Sequence, residues 1–219
     1  MPTLLSLQVG LPQRRAMPRG VRVDFRHPTW TSGIFKEPLD SPVEITSAGV
    51  PGDGQADLEN HGGSDNVVLA YDAGLYPMWR EVLARPDLPF GAFGENFTVE
   101  GLSDDTVCIG DTWQVGLRLQ LQVTQPRQPC FKLARRLEFG GIVKAVRDGG
   151  NGGWYLRVLT PGPAAPGMEI TRLAQPHPQW PVAKAAAVMY ARAGAPELAA
   201  ELAALAELSA RWKRELQEP

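Results

Sequence analysis

The segment Gln125-Pro126-Arg127-Gln128-Pro129-Cys130-Phe131-Lys132 sets a single thiol close to two prolines and two cations. Proline fixes the backbone and removes a donor, so Cys130 is expected at a strand end on a stiff loop rather than inside a ladder. A loop of that kind can hold a ligand accurately. If the charges of Arg127 and Lys132 converge, they favour the thiolate, the form that attacks electrophiles and binds metals. The competing reading is a buried apolar thiol, the usual state of an unpaired cysteine. The flanking cations and prolines weigh against it. Cys108, in Thr106-Val107-Cys108-Ile109-Gly110, has apolar neighbours and no adjacent cation, and reads as core.

Two further segments carry polar groups beside glycine or aromatic residues. In His61-Gly62-Gly63-Ser64-Asp65-Asn66 the glycines allow a backbone to approach a ligand, with His61 and Asp65 as side chains that can project toward it. A hydrogen-bonded turn explains the same pattern. In Phe93-Gly94-Glu95-Asn96-Phe97-Thr98, Glu95 and Asn96 suit the edge of a heterocycle, and equally a turn. Lys36 and Arg157 are further cations whose default is solvated surface charge. The usual nucleotide-binding, zinc-protease and serine-hydrolase motifs do not occur.

These residues need a scaffold. Alternation of Leu117, Leu119, Leu121 and Val123 with polar residues predicts a half-buried strand leading into the cysteine loop. Further strands are expected at Leu4 to Val9, Val43 to Thr46, Asn66 to Tyr71, Thr112 to Val115, Trp154 to Leu159 and Met168 to Leu173. Asp72 is expected to N-cap a short helix that turns Leu75, Met78, Trp79 and Val82 inward, with others at Phe131 to Leu137 and Ile142 to Val146. Past Pro176-His177-Pro178 the composition turns to alanine, leucine and mixed charge. A helix from Val182 to Arg192 and a second carrying Leu198, Leu202, Leu205, Leu208, Trp212 and Leu216 are predicted there. The reading is a mixed, β-dominated body over residues 1–175 and a small C-terminal helical module over 176–219.

A formal net charge of -2 argues against a nucleic-acid partner. No run approaches the roughly 18 apolar residues that cross a bilayer, and no export signal is read at the start, so the cytoplasm is expected. Two cysteines outside any C-x-x-C pair make a disulfide scaffold or zinc site improbable.

In this order, the opening strand, Gly33-Ile34-Phe35-Lys36, Gly52-Asp53-Gly54-Gln55-Ala56-Asp57, the His61 and Phe93 segments, Gln125 to Lys132 and Gly153-Trp154-Tyr155-Leu156-Arg157-Val158 resemble the MOSC domain family. The likeness is strongest to its small bacterial YiiM-like branch, and extends to the alanine-rich helices. Ser64 and Met168-Glu169 depart from the family's proline and Gly-Asp.

The resemblance implies a barrel-like β-fold that binds the molybdenum cofactor, molybdopterin, with the metal held by Cys130 beside the two dithiolene sulfurs. It also implies cations and polar groups around a phosphorylated pterin. Lys36, Arg127, Lys132 and Arg157 are the candidate cations, and His61, Asp65, Glu95 and Asn96 the candidate polar partners. Related members reduce N-hydroxylated compounds, including hydroxylamino purine analogues, which would make this chain an oxidoreductase with His61 or Asp65 as proton donor. Electrons would come from a separate reductase, with the C-terminal helices as a docking surface, and the reading leaves room for a homodimer. A non-catalytic carrier of the cofactor or its sulfur is the alternative. A metal-free Cys130 nucleophile with His61 as base ranks last.

Overall fold

The computed structural model describes residues 1–16, 29–57 and 62–218. Among them the strands are β1 (Thr3–Val9), β2 (Gln13–Ala16), β3 (Thr29–Ser32), β4 (Glu37–Pro38), β5 (Val43–Ile45), β6 (Val68–Asp72), β7 (Phe97–Glu100), β8 (Thr112–Val115), β9 (Leu119–Pro126), β10 (Trp154–Thr160), β11 (Gly162–Ala164) and β12 (Ile170–Ala174). The helices are α1 (Tyr76–Val82), α2 (Phe131–Leu137), α3 (Ile142–Gly149), α4 (Val182–Ala191), α5 (Pro196–Ala203) and α6 (Ala210–Gln217).

Eight strands form one sheet in the order β12-β8-β9-β10-β6-β7-β1-β4, with β6 and β7 its parallel pair. The start of β1 also bonds the run into β12. Leu4 N donates to Met168 O at 2.9 Å, Gly167 N to Leu4 O at 2.8 Å and Ile170 N to Pro2 O at 2.9 Å. These bonds close the sheet into a ring, which removes the open edges at which strands aggregate. Inside it, alternate residues meet. Leu119, Leu121 and Val123 of β9 pack with Leu4, Phe97, Val115 and Leu156, and Trp113 meets Trp154 edge to face at 5.9 Å. A second apolar cluster lies outside the ring, where Tyr71, Tyr76, Trp79 and Phe93 pack on Leu133, Leu137, Ile142 and Val146 of α2 and α3.

Two helix expectations are corrected. Asp72 caps a single 3-10 turn, accepting from Gly74 N at 2.7 Å, and α1 follows that turn. The inward pair is Tyr76 and Trp79, while Met78 and Val82 face solvent, because a helix of only two turns presents one i, i+3 stripe to the core. The long second C-terminal helix is two helices. Its stripe breaks at residues 204–209, where Leu205 and Leu208 lie in the turn, Ser209 N donates to Thr124 O at 3.1 Å and Ser209 Oγ caps α6 by accepting from Trp212 N at 3.2 Å. The strand predicted from Leu117 begins at Leu119, since Gly116, at φ 60°, forms the turn. Among the described residues, no helix is long and apolar enough to cross a membrane.

One buried carboxyl ties the ring to the helices. Asp104 Oδ1 accepts from Gly153 N at 2.9 Å, its main-chain oxygen accepts from Ala183 N at 2.9 Å in α4, and its Oδ2 has no partner among the described residues. Burial outweighs the backbone donors and pushes this carboxyl up to about 7. A carboxyl raised on folding contributes stability that is complete below its unfolded value and is lost as pH rises through about 7. Wild type should therefore melt at a lower temperature at about pH 8 than at about pH 5, and Asp104→Asn should shrink that difference in thermal melts. An unchanged difference in the variant refutes the assignment.

Candidate functional site

β9 delivers the cysteine loop. Its last residue, Pro126, still pairs with Trp154, and Arg127 N adds one more bond to Gly153 O at 2.8 Å. Pro129 has no N–H to offer, and the chain leaves the ladder there. Cys130 then takes an extended conformation, φ -119° and ψ 171°, at the N-cap of α2, and its side chain makes no capping bond. The half-buried thiol faces a cleft of about 640 Å³, open mouth included, whose walls also hold Lys36, Asp53, Asn96, Arg127, Gln128, Lys132 and Tyr155. Gly33 and Gly54 also line the cleft. A Cβ on Gly33 would lie 2.0 Å from Gly54 O, so only glycine lets these two segments touch.

The charges in the cleft differ in what already satisfies them. Lys36 is paired with Asp53, with side chains 6% and 5% exposed. Asp53 also accepts from Gly10 N at 2.7 Å and from Asn96 Nδ2 at 2.9 Å. Burial draws the Lys36 ammonium below its ordinary range, against the pull of Asp53. Asn96 is fully engaged, taking Leu69 N at 3.1 Å on its oxygen and giving its nitrogen also to Gln8 O at 3.2 Å. Lys132 stands 3.8 Å from Asp57. Arg127 is the exception. It is 7% exposed, one terminal nitrogen donates to Phe93 O at 3.1 Å, and the other, Nη1, is buried with no partner among the described residues.

Three residues read from the sequence as site candidates stand elsewhere. Glu95 is fully buried outside the cleft wall and accepts from Tyr76 Oη at 2.5 Å, Thr98 Oγ1 at 2.9 Å, Gly91 N at 2.8 Å and Phe93 N at 3.1 Å, so it holds the loop that carries Phe93. Asp65 and Arg157 pair with each other at 3.1 Å under the C-terminal helices. Asp65 accepts from Ala210 N at 3.2 Å at the start of α6, and Arg157 donates to Glu207 O at 2.7 Å. A carboxylate suits a helix N-terminus and a guanidinium a free carbonyl, so both serve the joint between body and helices. His61 lies outside the described residues. Cys108 is buried, and burial pushes its thiol up, as befits a core residue.

Asp53, Gln128 and Tyr155 had no individual role in the sequence reading. For Asp53 a signal was present, an acid between two glycines in Gly52-Asp53-Gly54. Removing either partner of a buried pair leaves an uncompensated charge. Lys36→Met and Asp53→Asn should each lose about 3 kcal/mol in urea unfolding, and the double variant clearly less than their sum. Additive losses would show that the two charges do not compensate each other.

The MOSC domain model matches residues 57–171, and a model described as "YiiM-like, 3-alpha helix domain" matches residues 180–218, which span α4 to α6. YflK of Bacillus subtilis is 42% identical over 173 residues, covering 79% of this chain and 74% of that one. A protein named "Reductase" from Gibberella moniliformis is 40% identical over 164 residues, covering 74% of this chain but 29% of the longer fungal protein. The crystal structure of YiiM from Geobacillus stearothermophilus superposes with a TM-score of 0.80 at 30% identity, over 99% of this chain and 98% of that one. The β-dominated ring followed by three C-terminal helices is thus a known architecture, and the chain belongs to the MOSC family, with a YiiM-like helical domain at its C-terminal end.

Proposed function

We propose that this protein is a molybdenum-cofactor-dependent oxidoreductase of the cytoplasm that reduces N-hydroxylated compounds, such as hydroxylamino purine analogues, with electrons from a separate reductase. The MOSC family is linked in general to the molybdenum cofactor. The observation that carries the proposal for this chain is Arg127, which lines the same cleft as the Cys130 thiol and whose buried Nη1 has no partner among the described residues. A guanidinium held in the interior with one hydrogen bond is costly until an anion joins it. A cleft that offers one soft sulfur and one unmatched cation suits an anionic ligand that carries a thiophilic metal.

The donor set fits the group. Among the described residues no three of His, Cys, Asp and Glu converge to hold a bare ion, so a metal held at Cys130 must arrive with ligands of its own, as the dithiolene of molybdopterin provides. Cys130 would hold the metal, and Arg127 and Lys132 the anionic parts. Lys36 and Asn96, already bound to Asp53, keep that wall rigid and locally neutral. When bound, the cofactor supplies a two-electron reduction that takes the oxygen from nitrogen. The balance is R–NHOH with two electrons and two protons giving R–NH2 and water.

The chain's own contribution to protonation falls to the cleft wall. Asp65 is committed to α6, whereas Tyr155 lines the cleft, and burial pushes its phenol up, so it stays protonated at neutral pH and can donate to the departing oxygen.

Expressed in a host that makes the cofactor, wild type should contain stoichiometric molybdenum by mass spectrometry and reduce hydroxylaminopurine with reduced viologen as donor. Cys130→Ala should lose both, and Arg127→Met should lose at least half of the metal while remaining folded. Metal without turnover would instead identify a carrier. Metal and turnover retained in Cys130→Ala would overturn the reading.

A further inference from the structure

Cys130 borders a second space. Beyond the cleft, on the side of the C-terminal helices, lies a groove of about 800 Å³, open mouth included, that shares Gln128, Cys130, Lys132 and Tyr155 with the cleft and adds, among others, Asp57, Gln125, Phe131 and Arg211. Cys130 and Tyr155 therefore stand on the partition between two chambers. The outer chamber is built by both parts of the chain, because Arg211 comes from α6.

The groove walls are held in place by the helical domain. Ser209 Oγ donates to Gln125 Oε1, which leaves that amide a nitrogen to donate. Gln128 donates its amide nitrogen to Glu215 Oε2 at 3.5 Å, which leaves its oxygen to accept. Glu215 also anchors the Arg211 guanidinium, with Nε 2.5 Å from Oε1, at the i, i+4 spacing of α6. Phe131 is 49% exposed, and Arg135 lies over its ring at 4.7 Å. A half-exposed aromatic face beside an amide donor, an amide acceptor, a phenol and a fixed guanidinium is a set that stacks a flat ring and reads its edge.

We infer that this groove is the substrate chamber, that its ligand is a planar aromatic heterocycle with acceptor atoms on its edge, and that Arg211 of the helical domain binds that edge. The inference rests on the proposed reaction for its turnover readout. It does not rest on it for binding. The helical domain then completes the active site, and its groove-facing side is not a surface left for a partner.

The test pairs kinetics with calorimetry. In molybdenum-loaded Arg211→Met, KM for hydroxylaminopurine should rise about tenfold while kcat, metal content and melting temperature stay within twofold or unchanged, and Arg211→Lys should recover part of the loss. KM for hydroxylamine, which has no ring to bind, should not move. A KM for hydroxylaminopurine within twofold of wild type overturns the inference, as does a joint fall of kcat, metal content and melting temperature, which marks a structural role. If the chain carries no molybdenum and turns nothing over, the proposed reaction has failed and calorimetry decides alone. Adenine binding to the full-length wild-type chain, weakened about tenfold by Arg211→Met, supports the chamber. Equal binding to both, or binding to neither, overturns it.

Discussion

A guanidinium in a protein interior must be matched by charge or by several acceptors, and among the described residues Arg127 has one carbonyl. That imbalance organises the site. The carbonyl belongs to Phe93, whose loop is fixed by the four donors that converge on Glu95. The Arg127 backbone is fixed by Gly153, which is itself fixed by Asp104. Both ends of the arginine therefore depend, one step removed, on Glu95 and Asp104, which do not line the cleft. Gly153 has φ +79°, and a Cβ there would lie 2.4 Å from Ala70 O, so this relay passes through a position only glycine can fill.

The neighbouring pair of Lys36 and Asp53 solves the opposite problem. Two charges buried together cancel, and with Asn96 they make a wall that is polar in composition and neutral in field. Set beside it, Arg127, with one acceptor among the described residues, adds a positive charge to the lining that also holds the thiol. Ring closure makes this stable. Because β9 lies inside the ring, paired on both sides by β8 and β10, it can hold a loop such as Gln128 to Cys130 at its end without fraying.

Much of this was legible in the sequence, and the rest was hidden for physical reasons. The period-two pattern located β9 because one of its faces packs the core, and two prolines marked where its ladder stops. The cysteine loop, Lys36, Asn96, Arg127 and Lys132 line one cleft, a set that the family resemblance had picked out and the residue types alone had not. Asp65, Arg157 and Glu95 illustrate the limit. A charged side chain announces that it needs a partner, and only the fold decides whether that partner is a ligand, a helix end or a loop's own N–H groups. The break in the final helix was invisible because Leu205 and Leu208 kept the helical spacing while the chain turned to reach Thr124. The antiparallel pair of β2 and β3, short and exposed on β2, has no apolar alternation to reveal it.

The turn between α5 and α6 also bears on how such a chain can evolve. Because residues 204–209 fold back and bond to β9, the last helix is stitched to the strand that presents the thiol rather than hung beyond it. A recombination event that exchanged the tail for another would take Ser209 from the Gln125 amide and the Ala210 N–H from the Asp65 carboxylate in the same stroke. Units that look interchangeable along the chain are thereby bound to drift together.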